Sequence, residues 1–335
     1  MRYLVTGATG FVGANVVRHL LSRGDKVVCL VRESSPDTTL RGLGVERAVV
    51  DLNSIDELVA SMDGIDGVFH LAGSFDPSQG GGERMKFIHE TATQNLCEAA
   101  VVSGVKRFVL CSSSVTIGFG DLNNPGDESQ MVANLDAIYG KTGPLRQYHD
   151  TKLNSEAIAF SFCDRGLEAV VVNPDFVVGA WDLKPTSGAM IVTMSKRWVP
   201  VYPKGGKCFI DADDCADAHI AAMDRGRSGE RYLLGVWNLT YREFMTEIAG
   251  VVGQRPPKFP VPKRALSVAG LLGGLAARVN PHGAAGLEPN VLRSMNQLRY
   301  RSGKKAMQEL GLRSTPIKES ISKAHDWFLT HGYLD

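Results

Sequence analysis

The chain has 335 residues, of which 44% are hydrophobic and 22% charged, and a formal net charge of +1. That composition suits a soluble globular protein with one large core or two smaller ones. Charges of both signs are interspersed, which excludes a nucleic-acid-binding stripe and an electrostatic funnel for acidic ligands.

The first residues run straight into an apolar strand (Tyr3, Leu4, Val5), with no charged n-region and h-region of a secretory signal. The strand breaks at glycines in Val5-Thr6-Gly7-Ala8-Thr9-Gly10-Phe11-Val12-Gly13, and a helical pattern resumes through Val12, Val16, Val17, Leu20 and Leu21. Lys26–Val31, Arg47–Val50 and Gly67–Leu71 read as further strands. Helical spacing then runs from Met85 through Ile88, Ala92, Leu96 and Ala99 to Gly104. Strands Arg107–Ser112 and Glu168–Asn173 are separated by a helix over about Leu145–Arg165. Alternation of this kind predicts an α/β protein with a doubly wound parallel sheet covered on both faces. After Pro174 the rhythm breaks, and Pro/Gly-rich loops (184–188, 200–206, 255–262) divide short strands from several helices, the last near Ile317–Thr330. The predicted organisation is a dinucleotide-binding domain over 1–173 and 209–235, with a smaller, mainly helical C-terminal substrate lobe over 174–208 and 236–335. The longest apolar stretch, Ala265–Ala277, holds three glycines, falls short of a membrane span and reads as a core helix.

Six cysteines (Cys29, Cys97, Cys111, Cys163, Cys208, Cys215) are scattered with no C-x-x-C pair, as expected of reduced thiols in a cytoplasmic protein. His89-Glu90 lacks a second histidine four residues on, and no metal site is expected.

The strand–glycine turn–helix at 3–21 is the context that a dinucleotide fingerprint requires. Gly7 permits the tight turn, Gly10 lets backbone N–H groups approach a pyrophosphate, and Gly13 lets helix and strand pack closely. A second signal is Tyr148-His149-Asp150-Thr151-Lys152, which sets Tyr148 and Lys152 on one face of a helix, a turn apart. A phenol is a poor acid or base at neutral pH. A neighbouring ammonium is expected to lower its pKa and make it a proton donor to a carbonyl. Ser113 follows the strand 108–112, where its hydroxyl could hold the substrate oxygen. A second Tyr-x-x-x-Lys, Tyr300 to Lys304, is broken by Gly303 and reads as chance.

These residues resemble an extended short-chain dehydrogenase/reductase over nearly the whole chain. Thr6-Gly7-x-x-Gly10-x-x-Gly13, Asp51-Leu52, Phe69-His70-Leu71-Ala72, Cys111-Ser112-Ser113 and Tyr148-x-x-x-Lys152 match that family's motifs in order. The likeness is greatest to the dihydroflavonol-reductase-like branch, which includes bacterial members labelled hopanoid-associated sugar epimerases. Asn173–Gly179, Asp182–Thr186 and Gly229–Leu234 carry it. The resemblance implies a nicotinamide cofactor, Ser113, Tyr148 and Lys152 as the catalytic set, Lys152 also on the nicotinamide ribose, and Asp51 and Leu52 against the adenine. It places Thr6, Gly7, Thr9, Gly10, Phe11, Val12, Gly13, Leu71, Ala72, Gly73, Asn173, Pro174 and Phe176 around the cofactor. It also implies a homodimer through the helices 85–103 and 145–165.

Two departures sharpen this. NAD enzymes place an acidic residue at the end of the second strand, but here Val31 is followed by Arg32. A guanidinium suits a 2′-phosphate, a contact worth about 1.5–3 kcal/mol, so NADP is expected over NAD by about ten- to a hundredfold. Glu33 on a ribose hydroxyl, with Arg32 an ordinary solvated cation, is the other reading. Sugar-nucleotide members often carry Asn in Asn-Val-Tyr-Gly-Pro and tend to show arginine two residues before the segment 210–214. Here Phe176-Val177-Val178-Gly179-Ala180 and Cys208 stand instead, favouring a less polar substrate. Phe176, Trp181, Met190, Ser114 and His89 are candidate substrate residues. Core packing is the other reading for the first three, and a plain helix histidine for His89, where the family often has Asn. The expected function is an NADPH-dependent carbonyl reductase or alcohol dehydrogenase acting on a relatively apolar small molecule. A nucleotide-sugar epimerase or dehydratase holding NAD, and a non-catalytic NADP redox sensor, are the alternatives.

Overall fold

The computed structural model describes residues 1–78, 80–262 and 294–335; the apolar stretch Ala265–Ala277 lies outside them. The large sheet contains β1 (Arg2–Thr6), β2 (Lys26–Val31), β3 (Glu46–Val49), β4 (Gly67–His70), β5 (Arg107–Cys111) and β6 (Glu168–Pro174). After the lobe strands β7 (Phe176–Val178), β8 (Val201–Tyr202) and β9 (Gly206–Asp211), the chain returns to it as β10 (Arg231–Leu234). The order is β10-β6-β5-β4-β1-β2-β3, and every pairing is parallel. The winding reverses between β1 and β4, where a doubly wound sheet opens its ligand crevice.

The strands read as continuous apolar runs because both faces are covered. With a period of two, Tyr3 and Val5 of β1 face one core with Phe69 and Val109. Leu4 faces the other with Val68, Phe108 and Leu110. The first layer is sealed by α1 (Phe11–Ser22) and α8 (Ala212–Arg225), whose Val16, Val17, Leu20, Cys215 and Ala222 are buried in it. The second is sealed by α2 (Ile55–Ser61), α4 (Ala92–Val102) and α6 (Pro144–Ser161) through Leu58, Leu96, Cys97 and Ala159.

The helix expected over Met85–Gly104 comes in three pieces: α3 (Gly81–Lys86), a π-helical turn over Phe87–Thr91, and α4. The Thr93 hydroxyl donates to the His89 carbonyl at 2.5 Å and competes for the backbone acceptor there. The helix expected to reach Arg165 ends at Ser161, followed by a 3₁₀ turn over Cys163–Arg165 and Gly166 at φ +88°. The short α5 (Leu135–Tyr139) precedes α6.

The lobe holds a small sheet besides its helices. β9 pairs with β7, β11 (Trp237–Thr240) and β13 (Leu298–Arg299), while β8 pairs with β12 (Phe259–Pro260). Its core packs α7 (Ala189–Lys196), α9 (Tyr241–Val252) and the helix Ile317–Thr330 around Phe209, Phe244, Ile321 and Phe328. Tyr300 ends β13 by bridging to Gly120, while Lys304 opens a separate short helix, so that pair shares no helical face. All six cysteines are free thiols. Among the described residues, no helix is long and apolar enough to cross a membrane, and no group of three or more His, Cys, Asp or Glu could hold a metal ion.

Candidate active site

The turn between β1 and α1 is fixed by backbone contact. Gly7 has φ +70°, and a Cβ there would lie 2.5 Å from the Ala72 nitrogen and the Leu71 carbonyl carbon. A Cβ on Gly13 would lie 2.1 Å from the Gly7 oxygen. Gly10 differs. It is exposed, and a Cβ would meet only the Gly7 oxygen, at 3.2 Å. As N-cap of α1 it offers no side-chain hydrogen bond to the first-turn N–H groups. An exposed helix N-terminus with unclaimed donors and no side chain over it fits a pyrophosphate. Thr9, Phe11 and Val12 are half-buried around it.

Thr6 stands at the winding reversal. Its hydroxyl accepts the Ala72 N–H at 3.2 Å and lies 2.6 Å from His70 Nδ1. Burial, and then the Lys152 charge, push His70 down to about 3, so this imidazole is neutral. Arg32 is exposed just after β2; its N–H donates to Ser35 Oγ at 3.0 Å, and its guanidinium makes no ion pair among the described residues. Asp51 Oδ1 accepts two hydrogen bonds from Asn53, at 3.0 and 3.1 Å. Leu52 rests on the second core layer, and its carbonyl accepts from Asn95 at 2.8 Å.

Across the crevice, Ser113 follows β5 by two residues and caps the 3₁₀ turn Ser114–Thr116, its Oγ accepting the Val115 N–H at 3.3 Å. α6 presents Tyr148, Lys152 and Glu156 to that side, while Thr151 faces His89. Tyr148 is half-buried, has the Ser113 side chain as its polar neighbour, and is crossed edge-on by Phe75 and His89, each ring centre 5.6 Å away. Lys152 is 4% exposed. Its Nζ donates to the Cys111 carbonyl at 2.9 Å and stands against Gly73, where a Cβ would be 3.0 Å from it. Burial lowers the Lys152 pKa, opposed by Cys111 and Glu156.

The expectation that Lys152 lowers the Tyr148 pKa is corrected by this arrangement. Burial pushes the phenol up to about 12, only partly offset by the Ser113 side chain, and Lys152 is not among the groups that move it.

His89 lies in the π-helical turn. Its Nε2 accepts the Ser74 N–H at 3.2 Å, so Nδ1 carries the proton and donates to Thr151 Oγ1 at 2.8 Å; that hydroxyl in turn donates to the Gln147 carbonyl at 2.8 Å. Burial, then the Lys152 charge, hold His89 down to about 2. Its imidazole is a structural bridge between the 73–75 turn and α6. The Asn173 side chain, expected against the cofactor, bonds within the protein: its amide donates to Glu156 at 2.7 Å and to the Ser113 carbonyl at 3.2 Å. Pro174 ends β6 beside it.

The other candidate substrate residues lie elsewhere. Phe176 packs on Phe209 and Phe244, ring centres 5.1 and 6.1 Å away, and Met190 joins the same lobe core. Trp181 meets Trp327, His331 and Arg18. Ser114 is buried, its carbonyl accepting the Ile117 N–H at 3.0 Å. Tyr148 instead adjoins an apolar cluster of Val115, Phe119, Leu135, Ile138 and Leu145. A cavity of about 360 Å³ shares Phe119 and Ile138 with that cluster and is also lined by Gly118, Gln130, Met131 and Ala133. Sequence reasoning missed this wall, since 118–138 carries no regular period.

A parallel sheet that reverses beside a glycine turn, facing a Ser–Tyr–Lys cluster, defines a Rossmann-type dinucleotide-binding enzyme. Residues 3–235 match the NAD dependent epimerase/dehydratase family, and the chain belongs to it. It is an NAD(P)-dependent oxidoreductase of the extended short-chain dehydrogenase/reductase type. It is 34% identical over 342 residues to a Synechocystis sp. protein provisionally named dihydroflavonol 4-reductase, covering 99% of this chain and 96% of that one. It is 30% identical over 336 residues to sterol demethylase protein B of Methylococcus capsulatus, covering 100% of both. The crystal structure of gox2253 superposes with a TM-score of 0.83 at 31% identity over 99% of each chain.

Proposed function

We propose that the protein is an NADPH-dependent carbonyl reductase, equally an alcohol dehydrogenase in reverse, acting on a ketone or aldehyde of a relatively apolar small molecule. The observation that carries this reading is Tyr148, set by α6 beside the Ser113 turn and one helical turn from buried Lys152, at the carboxyl edge of the sheet. The nicotinamide, when bound, supplies the hydride. Tyr148, with its pKa raised to about 12, holds its proton at neutral pH and can deliver it to the carbonyl oxygen. Ser113 donates to that same oxygen and fixes its direction. Lys152, which has two donors left beyond its bond to the Cys111 carbonyl, binds the nicotinamide ribose. Phe75, Leu135, Ile138 and Phe119 exclude water from the reacting oxygen. Arg32, exposed without an ion-pair partner among the described residues, favours the 2′-phosphate of NADP. The names of the two curated relatives, a flavonoid reductase and a sterol-processing protein, fit an apolar substrate. On this reading residues 174–208 and 236–335 form the substrate lobe, and α4 and α6 form a homodimer interface, checked by light scattering on the eluted protein.

The test is a panel of carbonyl compounds followed by NADPH absorbance, with the retained cofactor identified by mass spectrometry. Tyr148→Phe is expected to abolish turnover, a loss of at least about a hundredfold, while NADPH affinity stays nearly constant. Turnover surviving in that variant removes Tyr148 as proton donor. Tightly held NAD together with sugar-nucleotide binding replaces this reading with an epimerase.

A further inference from the structure

Glu156 follows Lys152 by four residues on α6, one turn further along the stripe that carries Tyr148 and Lys152. It is 2% exposed, and three donors converge on its Oε1: Ser112 Oγ at 2.5 Å, Thr116 Oγ1 at 2.7 Å and Asn173 Nδ2 at 2.7 Å. The Arg231 guanidinium approaches Oε2 at 3.3 Å. Ser112 and Thr116 bracket Ser113 in the chain, and the Asn173 amide also holds the Ser113 carbonyl. The backbone on both sides of the serine therefore hangs from one carboxylate, whose helix carries the tyrosine and the lysine. A carboxylate suits this place because its second oxygen also faces a donor, the Arg231 guanidinium, where an amide would turn its NH2.

The groups that face Lys152 are few. From β5 come the Cys111 carbonyl and thiol, from β4 the neutral His70, from the π-helical turn the neutral His89, and from α6 Tyr148 and Glu156. Of these, Glu156 is the carboxylate. We propose that Glu156 is a positioning residue of the catalytic site, locking the Ser113 turn onto the helix of Tyr148 and Lys152 and setting one negative charge behind the lysine. The inference rests on the reading of Tyr148 as proton donor and Ser113 as its partner.

The experiment measures kcat and KM against pH for the preferred carbonyl compound, with NADPH binding and melting temperature on the same preparations. Glu156→Gln is expected to lower kcat by about ten- to a hundredfold and to move the alkaline fall of kcat down by about one pH unit. The lysine, deprived of its carboxylate, loses its proton earlier. Ser112→Ala keeps the charge and removes one anchor, so kcat falls about threefold and the alkaline limb stays in place. A folded, NADPH-binding Glu156→Gln protein with the wild-type kcat and pH limb overturns the proposal. Should Glu156→Gln fail to fold, Ser112→Ala combined with Thr116→Val decides: an unchanged kcat overturns the lock, and a reduced kcat at unchanged NADPH affinity supports it. If the wild-type protein reduces no carbonyl, the proposed function fails separately. The charge effect is then read from the titration of ¹³C-labelled Lys152 in Glu156→Gln, where an unmoved midpoint counts against the proposal and a lowered one supports it.

Discussion

The Arg18 guanidinium of the cofactor-facing helix α1 lies 3.2 Å from the ring centre of Trp181, a residue of the lobe held at φ +74°. The same guanidinium donates to the Ala14 carbonyl at 2.9 Å and to the Thr39 carbonyl at 2.7 Å. Thr39 lies in the segment after β2 that begins with Arg32, so one cation joins that segment, α1 and the lobe.

Left-handed backbone costs a residue with a β-carbon about 1–3 kcal/mol, offset here by stacking. Trp181→Ala keeps the strain and loses the stack, and is expected to destabilise the fold by about 2 kcal/mol. Trp181→Gly, against the usual order, should be the more stable of the two by about 0.5–1 kcal/mol. Urea unfolding of both variants checks this; an alanine variant more stable than the glycine one refutes it.

The glycines of the β1–α1 turn are unequal. Gly13→Ala places a methyl 2.1 Å from the Gly7 oxygen, so the helix has to move off the strand. Loss of NADPH binding and a fall in melting temperature are expected together. Gly10→Ala meets its nearest atom at 3.2 Å and should leave the melting temperature within a few degrees of wild type, while NADPH affinity falls because the methyl stands where phosphate approaches. Isothermal titration beside thermal melts distinguishes the two patterns.

His19 joins α1 to α8, with Nδ1 2.6 Å from Asp217 and Nε2 3.2 Å from Asp213. The bond to Asp213, then that to Asp217, raises its pKa to about 9. Lys323 also reaches Asp213, and Arg313 reaches Asp217. A folded-state pKa above the unfolded one gives stability that is complete below about pH 6.5 and is lost as pH climbs through about 9. With the imidazole 24% exposed, about 2 kcal/mol should separate wild type from His19→Gln at about pH 6 beyond their difference at about pH 10. Denaturant midpoints at the two pH values test the slope, and parallel curves for both proteins would show that His19 does not set it.

Arg32→Asp exchanges a cation suited to a phosphate for an anion that repels it. The NADPH/NADH ratio of kcat/KM should fall about ten- to a hundredfold. An unaltered ratio removes Arg32 from cofactor choice.

The doubly wound sheet was legible because buried parallel strands leave apolar runs such as Lys26–Val31, and because glycines mark the β1–α1 turn. Tyr148, Lys152 and Ser113 stood out by spacing and by position after a strand. The π-helical turn did not, since one extra residue in a turn leaves the apolar spacing of Met85, Ile88, Ala92 and Leu96 readable as a single helix. The Tyr148 pKa was misread because the four-residue spacing to Lys152 tells nothing of how deeply the fold buries the phenol. Glu156 was in plain view at the next turn of the stripe, yet its partners Ser112, Thr116, Asn173 and Arg231 come from three separate segments that only folding unites. Trp181 and Met190 were apolar residues near a motif, and the lobe core took both.

Arg301 is 2% exposed, with its Nη1 2.6 Å from an Asp175 oxygen and its remaining nitrogens on the Ile117 and Gly118 carbonyls. A polypeptide halted at residue 235 would leave both carbonyls without their donor and the Asp175 carboxylate with Lys207, 3.9 Å away, as its remaining cation, within a few residues of Ser113. Residues 1–235 thus lean on a side chain that lies outside them, because Arg301 seats the 117–118 backbone against Asp175.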